Sequence, residues 1–307
     1  MLALLILLSL AAALVLSAWL SVYLYGQFAR RARGEPSHSL AISGPATSID
    51  EMIAPLTRDR PDQTGLVLVE GNLDAFAVRA LTARHAGRSL DVMYYIWKRD
   101  LTGRLLASEL VKAADRGVRV RVLLDDLNAY GHEKTWLTLD THPNMAVRLF
   151  NPVRNREGVF RRGVEMLLRA FSATRRMHTK AWISDGQLAL IGGRNIGDAY
   201  FDAGISANFR DLDLLVLGKS VQQTADLFDR YWNSAAALPV RALHPRRRIA
   251  PARLTRSLAS AGQSSQARPY LQRLHARKSI PEMLSGDNRI SWTSQAEVIA
   301  DPPEKAM

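Results

Sequence analysis

The chain has 307 residues, is 47% hydrophobic and carries 41 basic against 29 acidic side chains, a formal net charge of +12. This apolar content is ample for a buried core and rules out a disordered chain, while the positive surplus favours an anionic partner, either phospholipid headgroups or nucleic acid. Zero cysteines exclude a disulfide framework, a thiolate metal site and a thiol nucleophile.

Residues 1 to 25 contain no ionised side chain, and a helix needs about 20 apolar residues to cross a bilayer. They read as a transmembrane anchor, with a cleaved signal segment as the alternative. Trp19, Tyr23 and Tyr25 stand near its end as interface anchors, and Arg30, Arg31 and Arg33 follow. The positive-inside tendency puts the rest of the chain on the cytoplasmic side of a bacterial inner membrane in a single pass, a periplasmic placement being the other orientation. Residues 26 to 64, rich in Pro, Ser, Thr and Gly in their later part, read as a juxtamembrane linker.

The folded part is expected over residues 65 to 243. From Asn72, read as an N-cap, Leu73, Phe76, Ala77, Ala80 and Leu81 follow the spacing of an amphipathic helix. Leu90 to Trp97 reads as a buried strand, with Tyr94, Tyr95 and Trp97 as core, and residues 103 to 116 as a helix closed by Gly117. A strand follows from Val118 and ends at Asp125 and Asp126, which read as turn acids. Met145 to Phe150, two motif strands and Leu212 to Leu217 continue the alternation. A last helix is expected to start at a capping box of Ser220 and Gln223. The pattern predicts an α/β layered sandwich with a mixed sheet. Residues 244 to 307, with Arg246, Arg247 and Arg248 and a Ser/Ala/Gln-rich stretch over 257 to 267, read as an exposed connector.

The chemistry concentrates in His178, Lys180, Asp185, Gly192, Gly193 and Asn195, written H-x-K-x4-D-x6-G-G-x-N. On a strand, His178 and Lys180 would face the same way, a nucleophilic nitrogen beside a phosphate-binding cation. Asp185-Gly186 reads as a hairpin turn that returns the chain and brings Gly192 and Gly193, without side chains to obstruct a phosphate, next to the first strand.

This pattern resembles the signature of the phospholipase D superfamily. Leu90 to Trp97, Gly117 to Asp126 and Gly193 to Phe201 are similar to the corresponding stretches of bacterial C-type cardiolipin synthases. The resemblance implies a phospholipase D-like fold with a single catalytic half after the anchor. It also implies an enzyme that transfers or hydrolyses phosphatidyl groups through a phosphohistidine on His178, with no cofactor; no metal is expected, because the sequence offers no paired carboxylates with His ligands. Lys180, Gly192, Gly193 and Asn195 would hold the phosphate. Asp185 belongs to the family's catalytic set, although a hairpin aspartate can equally satisfy turn amides. A carboxylate on a later strand would orient the imidazole, and Asp211 matches that position best, with Asp213 as the alternative.

Such synthases carry two motifs, and only one is found. His132 has Lys134 two residues later, but its next acid, Asp140, falls one position late and no Gly-Gly-x-Asn follows. Val298 to Lys305 resembles the connector before the second half, so a truncation there is expected. The second histidine would come from another catalytic half in trans or from a homodimer. A phosphatidylglycerol-like anionic lipid in a membrane is the implied substrate. The alternative is a single-motif phosphodiesterase or endonuclease acting on nucleic acid as a homodimer, or an inactive half.

Overall fold

The structure is a computed structural model describing residues 1–129, 131–156, 158–244, 254, 256–258, 260–265, 267–275, 280–284 and 290–306. The strands are β1 Thr64–Val69, β2 Ser89–Tyr94, β3 Arg119–Asp125, β4 Met145–Phe150, β5 Ala181–Ser184, β6 Leu188–Gly192, β7 Asp213–Gly218, β8 Ala237–Pro239 and β9 Ser291–Thr293. The helices of the first half are α1 Leu2–Ala32, α2 Ser48–Thr57, α3 Asn72–His85, α4 Leu101–Asp115, α5 Asp126–Ala129 and α6 Glu133–Leu139. Those that follow are α7 Val159–Leu168, α8 Ala170–Ala173, α9 Lys219–Trp232, α10 Val240–Leu243, α11 Ala267–His275 and α12 Ile280–Leu284.

Among the described residues nine strands form one mixed sheet in the order β8-β4-β3-β2-β5-β6-β7-β1-β9, in which β2, β3 and β4 run parallel and the other pairs antiparallel. Strand β2 is buried along its whole length, as a central strand covered on both faces must be, which is why it reads as a nearly continuous apolar run. One core packs α3, α4 and α6 on one face of the sheet, with Phe76, Leu106, Leu110 and Trp136 among its members. The other lies under α9, where Phe228, Tyr231 and Trp232 meet Met93, Leu123 and Phe150. The α/β sandwich expected from the sequence is therefore the observed architecture, and α1, long and apolar enough to cross a membrane, precedes it.

Four local expectations are corrected. The linker over residues 26 to 64 is structured: α1 runs on to Ala32, and Thr47 and Asp50 form a capping box that starts α2, whose Ile49 and Ile53 are buried. Asn72 does not cap α3. Its amide instead donates to Asp202 and to the carbonyl of Phe209, and Gly71 occupies the cap position. Ser220 and Gln223 make no capping box. Ser220 lies inside the first turn of α9 and shares a 2.8 Å hydrogen bond with the Thr64 hydroxyl, while the Gln223 side chain accepts from the Val298 amide.

The expected connector contributes β9, which adds to the edge of β1, and Leu258, Ala261 and Ala267 are buried rather than exposed. The Arg246 to Arg248 run lies outside the described residues.

Candidate active site

Antiparallel pairing brings several chain segments to one end of the sheet. Met93 pairs with Ala181, Ala181 with Ile191, and Gly192 with Asp213, so the exit of β2, the entry of β5, the exit of β6 and the entry of β7 share an edge. The parallel β3 ends beside them, because Tyr94 pairs with Leu124. Ligand groups gather where α/β strands end in this way.

At that edge a cavity of about 630 Å³ is lined by His178, Lys180, Gly192, Arg175 and Arg176, with Tyr231 and the 299–305 segment on its other side. His178 and Lys180 precede β5 instead of lying on it, so their common orientation does not come from strand alternation. The exposed His178 imidazole stacks on the Tyr95 ring, with centroids 4.1 Å apart and planes 20° from parallel. Lys180 Nζ lies 5.8 Å from the centroid of the same ring and donates to the His178 carbonyl at 2.6 Å. Partial burial lowers the Lys180 pKa, and the Asp211 carboxylate opposes that shift by stabilising the ammonium.

Gly192 and Gly193 are required by the strand beside them. A Cβ on Gly192 would lie 2.7 Å from Asp213 Cα and would also strike the Leu212 carbonyl, while one on Gly193 would lie 2.7 Å from Asp211 Cγ. The pair thus lets β7 approach closely and sets Asp211 near Lys180.

The remaining motif residues are held by bonds within the protein. Asp185 lies at the opposite end of the β5–β6 hairpin, beyond the far end of β5 and roughly 13 Å from the entry of that strand at Ala181 at about 3.3 Å per strand residue. There it has φ +53°, is fully buried, and accepts from the backbone amides of Gly87, Arg88 and Ser89 at 2.8–2.9 Å. A catalytic role at the His178 centre does not fit this placement. Asn195 is buried, accepting from the Ile96 amide at 3.0 Å and donating to the Tyr200 hydroxyl at 3.1 Å, which ties the segment after β2 to the glycine loop and leaves its second N–H for the expected phosphate contact.

Asp211 accepts from the Leu212 amide, and among the described residues it makes no hydrogen bond to His178; its electrostatic partner is Lys180. Asp213 is committed to the buried Arg79 at 2.9 Å and Arg194 at 3.4 Å. Asp140, downstream of His132, accepts from the Val147 amide and from Arg241, away from the cavity, as a chance match would.

Two contributors were not singled out by the sequence. The sequence places Tyr95 with the core, yet only Tyr94 and Trp97 are buried, and Tyr95 supplies the platform for His178. Its signal was its place at the strand exit, one residue past Tyr94. Asp125 reads as a turn acid in the sequence, but it is fully buried and accepts from the Met177 amide at 3.1 Å and the Leu127 amide at 3.0 Å, with Arg176 at 3.4 Å. Burial pushes its pKa up to about 6 despite the opposing Arg176 charge and the two amides. Asp125 therefore fixes the backbone one residue before the imidazole.

Residues 82–232 match the family model described as cardiolipin synthase, PLD-like domain. Cardiolipin synthase C of Escherichia coli (strain K12) is 39% identical over 253 residues, which are 82% of this chain and 53% of that protein. An uncharacterized protein of Helicobacter pylori (strain ATCC 700392 / 26695) is 38% identical over 66% of this chain and 40% of its own length. The cardiolipin synthase of Oceanobacillus iheyensis is 32% identical over 49% of this chain and 29% of its own length. The chain thus spans about half, or less, of the length of these relatives.

Proposed function

The chain belongs, through residues 82–232, to the phospholipase D-like domain family of the cardiolipin synthases, and from that premise we propose that it is a membrane-associated phosphatidyltransferase working through a phosphohistidine on His178. The observation that carries this reading is the exposed imidazole held against Tyr95, with Lys180 beside it, at the mouth of a cavity lined by cations. A neutral ring nitrogen attacks phosphorus, the bond to the first alcohol breaks, and the phosphatidyl group rests on His178. A second alcohol then attacks the same phosphorus and releases the ring. Water in that place gives hydrolysis.

Lys180, with Arg176 at the cavity wall, meets the charge that develops on the phosphoryl oxygens. Asp211 keeps Lys180 charged against the cost of its burial. The departing alkoxide needs a proton, and His178 is the histidine at the cavity among the described residues. The proton donor is therefore assigned to a second motif, in another catalytic half or a second copy of this domain. A phosphatidylglycerol-like lipid supplies the phosphatidyl group and a lipid hydroxyl receives it, on the cytoplasmic face of a bacterial inner membrane, where Arg30 and Arg31 at the end of α1 would remain.

The test uses the full chain in anionic vesicles with phosphorus-labelled phosphatidylglycerol, quenched in alkali during turnover. Label on His178, its loss in His178→Ala, and cardiolipin formed only by the unmodified chain are the expected results. A turning-over preparation whose His178 never carries label overturns the mechanism. Cleavage of DNA with phosphatidylglycerol left intact overturns the substrate.

A further inference from the structure

Helix α7 is inverted relative to α4 and α9, whose buried residues are mostly apolar. A surface helix turns an apolar stripe inward and polar residues outward. In α7, Val159, Phe160, Val164 and Leu167 are 88, 82, 39 and 70% exposed, whereas Glu165 and the adjoining Arg169 are 7 and 3% exposed. Phe160, Val164 and Leu167 follow i, i+4, i+7 and so form one stripe. The inward polar groups are satisfied: Glu165 accepts from the amides of Arg154 and Asn155 at 2.8 Å, from the Asn155 side chain, and from Arg169 at 3.1 Å. Water therefore faces the apolar side of a helix whose polar side is anchored within the protein.

The place of α7 along α1 indicates what covers that stripe. The Arg169 guanidinium lies 3.3 Å from the Tyr25 ring centroid, and Arg154 sits 5.0 Å from that of Phe28. A groove of about 480 Å³ runs between the two helices, with Ser17, Leu20 and Leu24 of α1 facing Phe160, Val164 and Leu168. At 1.5 Å per residue, the uncharged run of residues 1 to 25 is roughly 37 Å long, slightly more than the ~30 Å hydrocarbon layer. Helix α7 thus meets α1 over the last part of this run, just before Arg30 and Arg31. That depth is the boundary between hydrocarbon and headgroups, where an amphipathic helix with basic residues beside its apolar stripe is stable. Arg161, exposed next to Phe160, supplies such a charge.

We infer that α7 is a second membrane-contact element, seated at the headgroup boundary of an anionic bilayer beside α1, with Phe160, Val164 and Leu167 immersed in lipid. It holds the domain against the leaflet independently of the reaction at His178. A single span, even with the domain docked on it, can still tilt in the bilayer; a second contact resists that tilt.

Because the chain has no cysteine, single substitutions give unique labels on the full-length protein. Phe160→Cys and Leu167→Cys, each carrying an environment-sensitive fluorophore, are reconstituted in phosphatidylglycerol-containing vesicles beside Asp62→Cys, an exposed position before β1. Expected at positions 160 and 167 are blue-shifted emission, loss of signal with nitroxide-labelled lipid, and protection from aqueous iodide, none of which occurs at position 62. Labels at 160 and 167 that behave like the one at 62 overturn the inference. Self-quenching that rises with protein per vesicle while lipid nitroxide has no effect also overturns it, by assigning the stripe to a second copy. The readout requires no turnover, so failure of the phosphohistidine mechanism leaves it unaffected.

Discussion

Replacing Asp185 separates a structural carboxylate from a catalytic one. Its Oδ1 accepts from both the Arg88 and Ser89 amides, and Oδ2 accepts from Gly87. Asp185→Asn retains an oxygen for Arg88 and Ser89 and tolerates the φ of +53°, so only the contact with the exposed Gly87 amide is lost. The expected cost is about 1 kcal/mol.

Asp185→Ala leaves the Arg88 and Ser89 amides without partners at about 1–3 kcal/mol each, and it places an alanine in the left-handed region at about 1–2 kcal/mol more. A total near 5 kcal/mol corresponds to a midpoint lower by roughly 10–20 °C for a domain of this size, against a few degrees for Asn. Thermal unfolding of the detergent-solubilised chain, followed by tryptophan fluorescence, measures both. In vesicles below the unfolding range, Asp185→Asn should keep a turnover within about threefold of the original, equivalent to less than 1 kcal/mol of barrier. A well-folded Asp185→Asn chain as inactive as His178→Ala would refute the structural assignment and place the carboxylate in the chemistry.

Tyr95→Phe keeps the ring under His178 and should leave turnover nearly unchanged. Tyr95→Ala removes a stack worth about 1 kcal/mol, and single-turnover kinetics should show a fall of roughly fivefold with no change in midpoint. Gly192→Ala forces a Cβ against the backbone of residues 212 and 213 and should lower the thermal midpoint sharply, whereas Gly193→Ala presses on the Asp211 carboxylate, which can move, and should mainly lower turnover; equal loss of stability in both would sink this distinction. Asp125, raised from 3.8 to about 6 by burial, favours the protonated native state. Its stabilising contribution is complete below the unfolded value and is lost as pH rises through about 6, so the chain should lose roughly 3 kcal/mol relative to Asp125→Asn over that window. Parallel stability curves for the two proteins from pH 4 to 8 would contradict the burial assigned to Asp125.

Alternation and helical spacing made the sandwich legible, because β2, β3 and β4 are apolar enough to be read without knowing their partners. The motif residues were legible as a group, but their division was not. Local spacing shows that Asp185 begins a turn, yet not that the turn folds back over residues 87 to 89, a contact nearly one hundred positions away. Tyr95 was obscured by its buried neighbours Tyr94 and Trp97, since one residue past a strand end the chain decides in three dimensions which side faces the cavity. Residues 33 to 47 and β9 carry almost no local signal. Both are held by partners on distant elements, as when Ser39 bonds Asp229 and Trp292 lies beside Gly65.

The segment after α1 has a mechanical consequence. A flexible tether spanning residues 26 to 64 would let its cargo wander by roughly 35 Å. Instead Arg33 reaches the Asn233 carbonyl, Arg148 holds that of Glu35, Arg121 that of Ser37 and Arg119 that of His38, with Ser37 and Ser39 fastened to Asn233 and Asp229. With its leash drawn tight, the cavity is held at a fixed distance from the end of α1; under the proposed function, the supply of phosphodiester would then be set by two-dimensional diffusion of lipids toward a stationary mouth rather than by a domain sweeping across the surface.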